Sequence, residues 1–162
     1  MAAFFGVESP QALRVTGYIH NKPITILIDS GSTHNIVQPR IVQHLRLPTV
    51  PVPAFHVMVG NGAQLSCTGF CPDTQLNLDH TIFPVPLFVI PIEGADLVLG
   101  MAWLRTLSTV VVDFSIPQMA FSYKNKAIIL KGEPLSKSVT TTTLHTIEEK
   151  RFGLQRDAKW DA

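Results

Sequence analysis

The fold of this chain is decided by the stretch Ile24-Thr25-Ile26-Leu27-Ile28-Asp29-Ser30-Gly31. Its first part is almost entirely apolar and β-branched, which predicts a strand buried on both faces. The strand ends abruptly at Asp29, and the small residues Ser30, Gly31 and Ser32 follow. A carboxylate beside a buried strand has to be solvated, paired or protonated, and small neighbours let another chain approach it closely. The stretch therefore has the physical profile of a catalytic carboxylate on a loop at the end of a core strand.

The rest of the chain repeats short β-branched runs that are separated by turn residues. We predict about nine strands and two short helices, which indicates an all-β fold, a closed or partly open barrel or a sandwich. The helices are predicted at Pro39–Leu45 and Met101–Leu107. Pro84 and Pro86 interrupt the run from Ile82 to Ile92, so this strand is expected at a sheet edge or beside a bulge.

A hairpin is predicted between residues 55 and 70. A strand at Phe55–Val59 leads into a tight turn at Gly60-Asn61-Gly62, and Gln64–Phe70 forms the returning strand. An Asn-Gly pair between alternating apolar runs is the strongest short-range hairpin signal, and it needs left-handed backbone at the turn.

Composition and charge exclude several classes of function. Apolar residues make up 46% and charged residues 15% of the chain, as expected for a folded globular domain. The net charge is +1 and no basic block occurs, so neither a nucleic-acid partner nor an anionic membrane is expected. No apolar run reaches ~18 residues and no secretory signal is visible, which predicts no membrane span.

We divide the chain into a folded domain over 1–133 and a Ser/Thr-rich linker with a charged tail over 134–162.

No metal or organic cofactor is predicted. Cys67 and Cys71 are too few for a secreted disulfide framework, and strand residues with this spacing lie ~13 Å apart, too far to share a metal or a disulfide. We expect free, buried or half-exposed thiols and a cytoplasmic, reducing setting. The chain has six histidines, but it contains no His-Glu-x-x-His motif, phosphate loop or dinucleotide fingerprint.

Asp-Ser-Gly alone also occurs in ordinary turns, so the neighbouring motifs decide its interpretation. Three motifs occur in one order: Ile26-Leu27-Ile28-Asp29-Ser30-Gly31-Ser32-Thr33-His34-Asn35, then Val57-Met58-Val59-Gly60-Asn61-Gly62, then Asp96-Leu97-Val98-Leu99-Gly100-Met101-Ala102-Trp103-Leu104. This order resembles the retropepsin family of aspartic proteases, in particular the protease domain of gypsy-type retrotransposon polyproteins. The resemblance covers residues 7–133, and its third motif is long and specific. Many retroviral members carry Thr where this chain has Ser30, which keeps the hydroxyl.

The resemblance implies a role for each motif. Asp29 is the expected catalytic acid, Gly31 lets substrate backbone lie against the loop, and Ser32 is expected to bond the outer oxygen of Asp29. Ser30 is expected to hydrogen-bond across a dimer and stiffen both loops. The substrate-binding flap comprises Val59, Gly60, Asn61 and Gly62. Support beneath the loop comes from Val98, Leu99 and Gly100.

Peptide hydrolysis by carboxylates needs two of them around one water, an ionised one as base and a protonated one as acid. Two carboxylates ~3 Å apart share one proton, as in the aspartic-protease dyad that serves as the general example of this effect. Because the chain has a single Asp-Ser-Gly, the second carboxylate should be Asp29 of a symmetry-related subunit. The sequence thus predicts a homodimeric aspartic endopeptidase that cuts extended polyprotein segments. Its expected location is cytoplasmic, or within virus-like particles as part of a polyprotein.

Two other functions fit the same fold. A weakly active or inactive lobe would serve as a dimerisation or peptide-binding module, and a cleavage assay with Asp29→Asn separates it from an enzyme. A shuttle or adaptor, as proposed for single-lobe proteins on ubiquitin pathways, ranks lower because no ubiquitin-like segment is recognised in the sequence.

Other candidate residues have simpler explanations. Asp96 and Asp113 adjoin strands, and a capping or turn role is the more economical interpretation of both. His34 is the only histidine near the acid, where a structural or surface role competes with tuning of substrate binding. Trp103 and Leu104 are expected in the core or at a dimer contact.

Overall fold

The computed structural model describes residues 12–58 and 62–133, and these residues form eleven strands and two helices. The strands are β1 Ala12–Ile19, β2 Lys22–Asp29, β3 Ile36–Val37, β4 His56–Met58, β5 Gln64–Ser66, β6 Gly69–Leu78, β7 Thr81–Val89, β8 Leu97–Leu99, β9 Val110–Asp113, β10 Gln118–Tyr123 and β11 Lys126–Lys131. The helices are α1 Pro39–Leu45 and α2 Met101–Leu104. The predicted tail over 134–162 lies outside the described residues.

Six strands close into a barrel in the order β1-β2-β8-β3-β7-β6. The ring closes between β1 and β6 at a single paired position, Tyr18 with Asn77. β9, β10 and β11 form a separate three-stranded sheet, and β4 pairs only with β5. The prediction of an all-β fold with a closed or partly open barrel and two short helices is therefore confirmed.

In the barrel, β2 lies between β1 and β8. Ile24, Ile26 and Ile28 point into the main hydrophobic core, while Leu27 belongs to a second hydrophobic cluster on the other face. Both faces of the strand are thus buried, as its continuous apolar run predicts.

Pairs of residues with left-handed backbone form the turns between adjacent strands, both in the barrel and in the three-stranded sheet. His20 and Asn21 join β1 to β2 with φ of 52° and 63°, and the same left-handed pair recurs at Asp79–His80 and Lys124–Asn125. Two consecutive left-handed residues make the turn that matches the twist of adjacent strands. Asn and Asp tolerate this backbone because their short polar side chains bond it locally.

The strand boundaries correct several predictions. The predicted strand 64–70 is two strands, because β5 ends at Ser66 and Gly69 begins β6 in the barrel. The predicted helix 101–107 ends at Leu104, while α1 has the predicted bounds. β7 spans Thr81–Val89 rather than 82–92.

The expectation for the two prolines of β7 is confirmed. β7 pairs with β3 only at Phe88 and Val89, so Pro84 and Pro86 lie where one side of the strand has no strand partner. The bulge occurs on the facing strand β6, between Cys71 and Thr74. Proline is tolerated there because no ladder hydrogen bond is needed from its nitrogen.

Candidate active site

Asp29 is the last residue of β2, and its side chain is only 2% exposed. Its Oδ1 accepts a hydrogen bond of 2.8 Å from the backbone N–H of Gly31, and its carbonyl oxygen accepts one of 3.0 Å from the N–H of Ser32. We call residues Asp29–Asn35 the catalytic loop. Hydrogen bonds to a carboxylate favour its ionised form, while burial favours the neutral form. The loop therefore holds one acid group in a fixed position at the end of a central strand.

Gly31 is exposed on this loop. A Cβ at this position would lie 3.1 Å from Oδ1 of Asp29, closer than most side-chain contacts. The missing side chain keeps the space beside the carboxylate open to an approaching chain, as predicted for this glycine.

Ser32 does not make the hydrogen bond that the sequence suggests. Its hydroxyl donates to the carbonyl oxygen of His34 over 3.0 Å, and the side chain is 3% exposed. A serine hydroxyl has one proton, so it cannot donate to Asp29 at the same time. The loop uses the Ser32 hydroxyl to satisfy its own backbone, and the N–H of Gly31 takes the place predicted for Ser32 at the carboxylate.

Gly100 packs directly beneath the catalytic loop. A Cβ there would lie 2.5 Å from the carbonyl oxygen of Ser32 and 2.6 Å from that of His34, distances that real Cβ atoms do not show. The N–H of Met101 donates to the same Ser32 carbonyl over 2.8 Å. Because β8 pairs in parallel with β2, joining Leu27 with Val98 and Ile28 with Leu99, the strand delivers Gly100 to this point. Val98 and Leu99 therefore lie beside β2, and Gly100 lies beneath the loop.

Asn35 fixes the position of the loop, a role that the sequence analysis did not assign to it. Its side chain is 3% exposed; its Oδ1 accepts a hydrogen bond of 3.0 Å from the N–H of Gly100. Its amide nitrogen is 3.4 Å from the carbonyl oxygen of Pro86 on β7. A buried amide bridging three elements fixes the loop against its support. In the sequence, the only signal for this role was a polar residue directly before the apolar pair Ile36-Val37.

The predicted flap forms a hairpin of its own. β4 pairs with β5 through His56 with Ser66, Val57 with Leu65 and Met58 with Gln64. We call residues His56–Ser66 the flap hairpin. Gly62 has the predicted left-handed backbone, with φ of 88°. Val59, Gly60 and Asn61 lie outside the described residues.

The chain matches the family model for the retroviral aspartyl protease over residues 6–143. It belongs to this family. The match includes the catalytic loop, its support and the flap hairpin. The catalytic loop and Gly100 thus lie within a retropepsin-like domain.

Solved structures give a second comparison. The retroviral protease-like domain of Ddi1 from Leishmania major is 21% identical, with a TM-score of 0.56; the match covers 76% of this chain and 94% of that one. A retropepsin-like aspartic protease from Rickettsia conorii is 13% identical, with a TM-score of 0.47 and coverage of 79% and 88%. The Leishmania structure supports the retropepsin-like fold. No curated protein matches the chain.

The other two acids have structural contacts that place them outside this retropepsin-like site. Asp96 bonds the N–H of Thr25 over 2.9 Å and forms an ion pair of 2.6 Å with Arg40. Asp113 accepts hydrogen bonds from the hydroxyl and N–H of Ser115, which lower the pKa of its exposed carboxyl. Asp113 therefore has the turn role that was expected, whereas Asp96 links β2 to α1 instead of capping a helix or closing a turn.

The structure also shows the surroundings of the two cysteines and of Trp103. Cys67 and Cys71 are free and buried, and burial raises the pKa of the Cys71 thiol. Trp103 is 3% exposed in the main core. Within residues 12–58 and 62–133, no cluster of His, Cys, Asp or Glu could hold a metal ion. No helix in the same ranges is long and apolar enough to cross a membrane.

Proposed function

We propose that this chain is an aspartic endopeptidase that acts as a homodimer, with the Asp29 carboxylates of two copies forming its dyad. The observation that carries the proposal is a single acid, 2% exposed, at the end of β2 on a loop braced from beneath by Gly100. Burial of an ionisable acid has a cost, and such buried acids are frequent at catalytic sites.

The dyad chemistry follows from having one proton between two carboxylates. The ionised Asp29 removes a proton from a water molecule, whose oxygen attacks the carbonyl carbon of the peptide. The protonated Asp29 gives its proton to the carbonyl oxygen, and a tetrahedral diol forms. Return of a proton to the peptide nitrogen then lets the C–N bond break. A single lobe supplies either the acid or the base, so the reaction requires the second copy.

An exposed edge strand supports the pairing of two copies. β9 is the outer strand of its sheet, and Val111 and Val112 are 64% and 39% exposed. Phe114 and Ile116 follow in the next turn at 53% and 57%. Edge strands with exposed apolar side chains offer unpaired backbone groups to another chain. A second copy of this chain would cover that surface.

The surroundings of the loop favour an extended peptide substrate. Leu27, Ile36 and Val98 belong to one apolar cluster with Val57 and Leu65 of the flap hairpin. An apolar surface beside a strand hairpin suits an extended segment that offers backbone hydrogen bonds and apolar side chains. We infer polyprotein segments as substrates, a gypsy-type retrotransposon as the source, and a cytoplasmic or virus-like-particle location.

The test is initial rate over a grid of protein concentration and pH, with sedimentation under the same conditions. Rate per chain should rise with concentration until dimers dominate, because association follows mass action. The pH profile should be bell-shaped with an optimum at about pH 4–6, since both acids are protonated below it and both are ionised above it.

Val111→Lys provides a matched variant on β9, in a different sheet from the β2 strand that carries Asp29. It should move the concentration dependence to higher protein concentration and leave the shape of the pH profile unchanged, because it places a charge on the edge strand alone. A specific activity independent of concentration, in a sample that sediments as a monomer, would rule out the shared dyad.

A further inference from the structure

His34 lies in a cluster of aromatic rings at the outer end of the catalytic loop. Its ring centroid is 5.9 Å from that of Phe55 and 5.3 Å from that of Phe88, the latter in edge-to-face geometry. Phe55 and Phe88 are themselves 5.2 Å apart at an interplanar angle of 88°. The three rings thus form a closed triangle, and Phe70 extends it at 4.9 Å from Phe88. Such arrangements are preferred by the ring quadrupoles.

The backbone of His34 is bound firmly to the catalytic loop. Its carbonyl oxygen accepts the hydroxyl of Ser32 and contacts Gly100. The next residue, Asn35, is held by the N–H of Gly100 and accepts a hydrogen bond of 2.9 Å from the N–H of Phe88. Any movement of the ring is therefore transmitted to residues that brace the acid.

Phe55 stands at the base of the flap hairpin. Its carbonyl oxygen accepts a hydrogen bond of 2.9 Å from the N–H of Cys67, which extends the pairing of β4 and β5 by one step. In the described ranges, β4 and β5 pair with each other and with no barrel strand. Side-chain packing therefore sets the position of the hairpin, and the contact of Phe55 with His34 links it to the loop.

We propose that His34 is a positioning residue, which couples the base of the flap hairpin to the catalytic loop through its ring contact with Phe55. The functional part of this inference rests on the proposed protease activity. In that activity, the loop and the hairpin hold opposite sides of one substrate, so their relative position sets substrate affinity. The neutral ring is the coupling form, because an imidazolium would carry charge into an apolar contact.

The acid–base state of His34 agrees with this role. Burial lowers its pKa from the ordinary value of 6.5. As the pH falls below 6.5, the unfolded chain binds a proton before the folded chain does, so this histidine's contribution to stability is present above 6.5 and is lost toward its lower folded pKa. The ionisable residues on the surrounding elements are Asp29 in the loop, His56 on β4, Cys67 between β5 and β6, and Cys71 and Asp73 on β6; β7 carries none.

Amide hydrogen exchange of the unliganded protein tests the coupling without any need for catalysis. His34→Ala should speed exchange of the Cys67 amide by about threefold to tenfold, the range that one aromatic contact supports. Amides of β1 and β2 should be unchanged, and His34→Phe should restore the slow exchange of Cys67. Tyr123→Ala is the matched control, because Tyr123 is also half-buried and contacts Phe83 in a separate aromatic cluster.

The outcomes separate the two proposals. Unchanged Cys67 exchange in His34→Ala, or an equal increase at every amide, would overturn the coupling. An effect confined to the hairpin, in a protein that cleaves no peptide, would leave the coupling in place and refute the proposed function.

With an active protein, the same variants give a kinetic test. His34→Ala should raise KM by about threefold to tenfold with a smaller change in kcat, because the hairpin contacts bound substrate. His34→Phe should keep KM and remove from its pH dependence any rise at low pH that protonation of His34 causes, since its ring does not titrate. Equal loss of kcat and melting temperature in both variants, matching Tyr123→Ala, would show a merely structural ring.

Discussion

The chain contains two loops that begin almost alike and end in different chemistry. Ile26-Leu27-Ile28-Asp29 is followed by Ser30, and Val110-Val111-Val112-Asp113 is followed by Phe114 and Ser115. In both, the Asp carboxylate accepts the N–H of the residue two positions later, Gly31 over 2.8 Å and Ser115 over 2.9 Å. Asp29 is 2% exposed, whereas Asp113 is exposed. The two turns share this hydrogen bond. The position of the preceding strand in its sheet therefore decides whether the carboxylate is buried.

The largest expected difference between the two loops is in peptide cleavage. Asp29→Asn should lower kcat by about a hundredfold or more, since it removes a group that has to exchange protons with water and substrate. Asp113→Asn removes an equivalent charge from the exposed turn and should leave the rate unchanged. Cleavage of a peptide library by both purified variants, with circular dichroism to verify the fold, measures this. A fully active Asp29→Asn variant would show that the acid of the buried loop is not the catalyst.

A second difference concerns the support beneath each loop. Gly100→Ala should lower the free energy of unfolding by about 1–3 kcal/mol, because the added methyl group would clash with backbone carbonyl oxygens that cannot move unless the whole loop moves. Ser115→Ala, which removes the hydroxyl bonded to Asp113 at the exposed turn, should change it by less than about 0.5 kcal/mol. Urea unfolding at fixed pH measures both values. Equal effects would mean that the catalytic loop tolerates movement as freely as the exposed turn does.

The smallest effect is in the pH dependence of stability. The hydrogen bonds from Ser115 lower the pKa of Asp113, so its contribution to stability is present above its unfolded pKa and is lost as the pH falls through the lower folded pKa. Asp113→Asn should therefore flatten the acid limb of the melting temperature slightly and leave the neutral region with a small uniform loss. Thermal melts between pH 2 and pH 7 measure this, with Asp73→Asn as an exposed control. An acid limb unchanged by Asp113→Asn would contradict the lowered pKa.

Several features could be predicted because they depend on neighbours in the sequence. The bounds of α1 follow from Pro39 at its first position and from apolar residues at helical spacing. The hairpin of β4 and β5 follows from the Asn-Gly pair, although its predicted extent to Phe70 was too long, and the burial of β2 on both faces follows from its continuous apolar run. The end of α2 was misplaced, because Arg105 and Thr106 continue as turns that propensity alone does not distinguish from a helix.

The site could be predicted only in part. The catalytic role of Asp29 stays a prediction, whereas the close packing of Gly100 is observed, since a small residue after an apolar strand implies tight approach. The sequence analysis assigned the Ser32 hydroxyl to the wrong acceptor, because the nearer carbonyl oxygen of His34 is placed by the backbone of the folded loop. Asn35 received no role, because its partners Gly100 and Pro86 are 65 and 51 residues away along the chain.

The sequence by itself determined the strands, the tight turns and the one acid placed after a buried run, since each depends on residues within a few positions. The tertiary structure alone decided which Asp is buried, which carbonyl receives the Ser32 proton and which ring meets Phe55. Those outcomes depend on β8 lying beside β2 and on the flap hairpin packing against the apolar cluster that contains Leu27, Ile36 and Val98. Such contacts join segments far apart in the chain, and their free energy is gained only when the barrel closes.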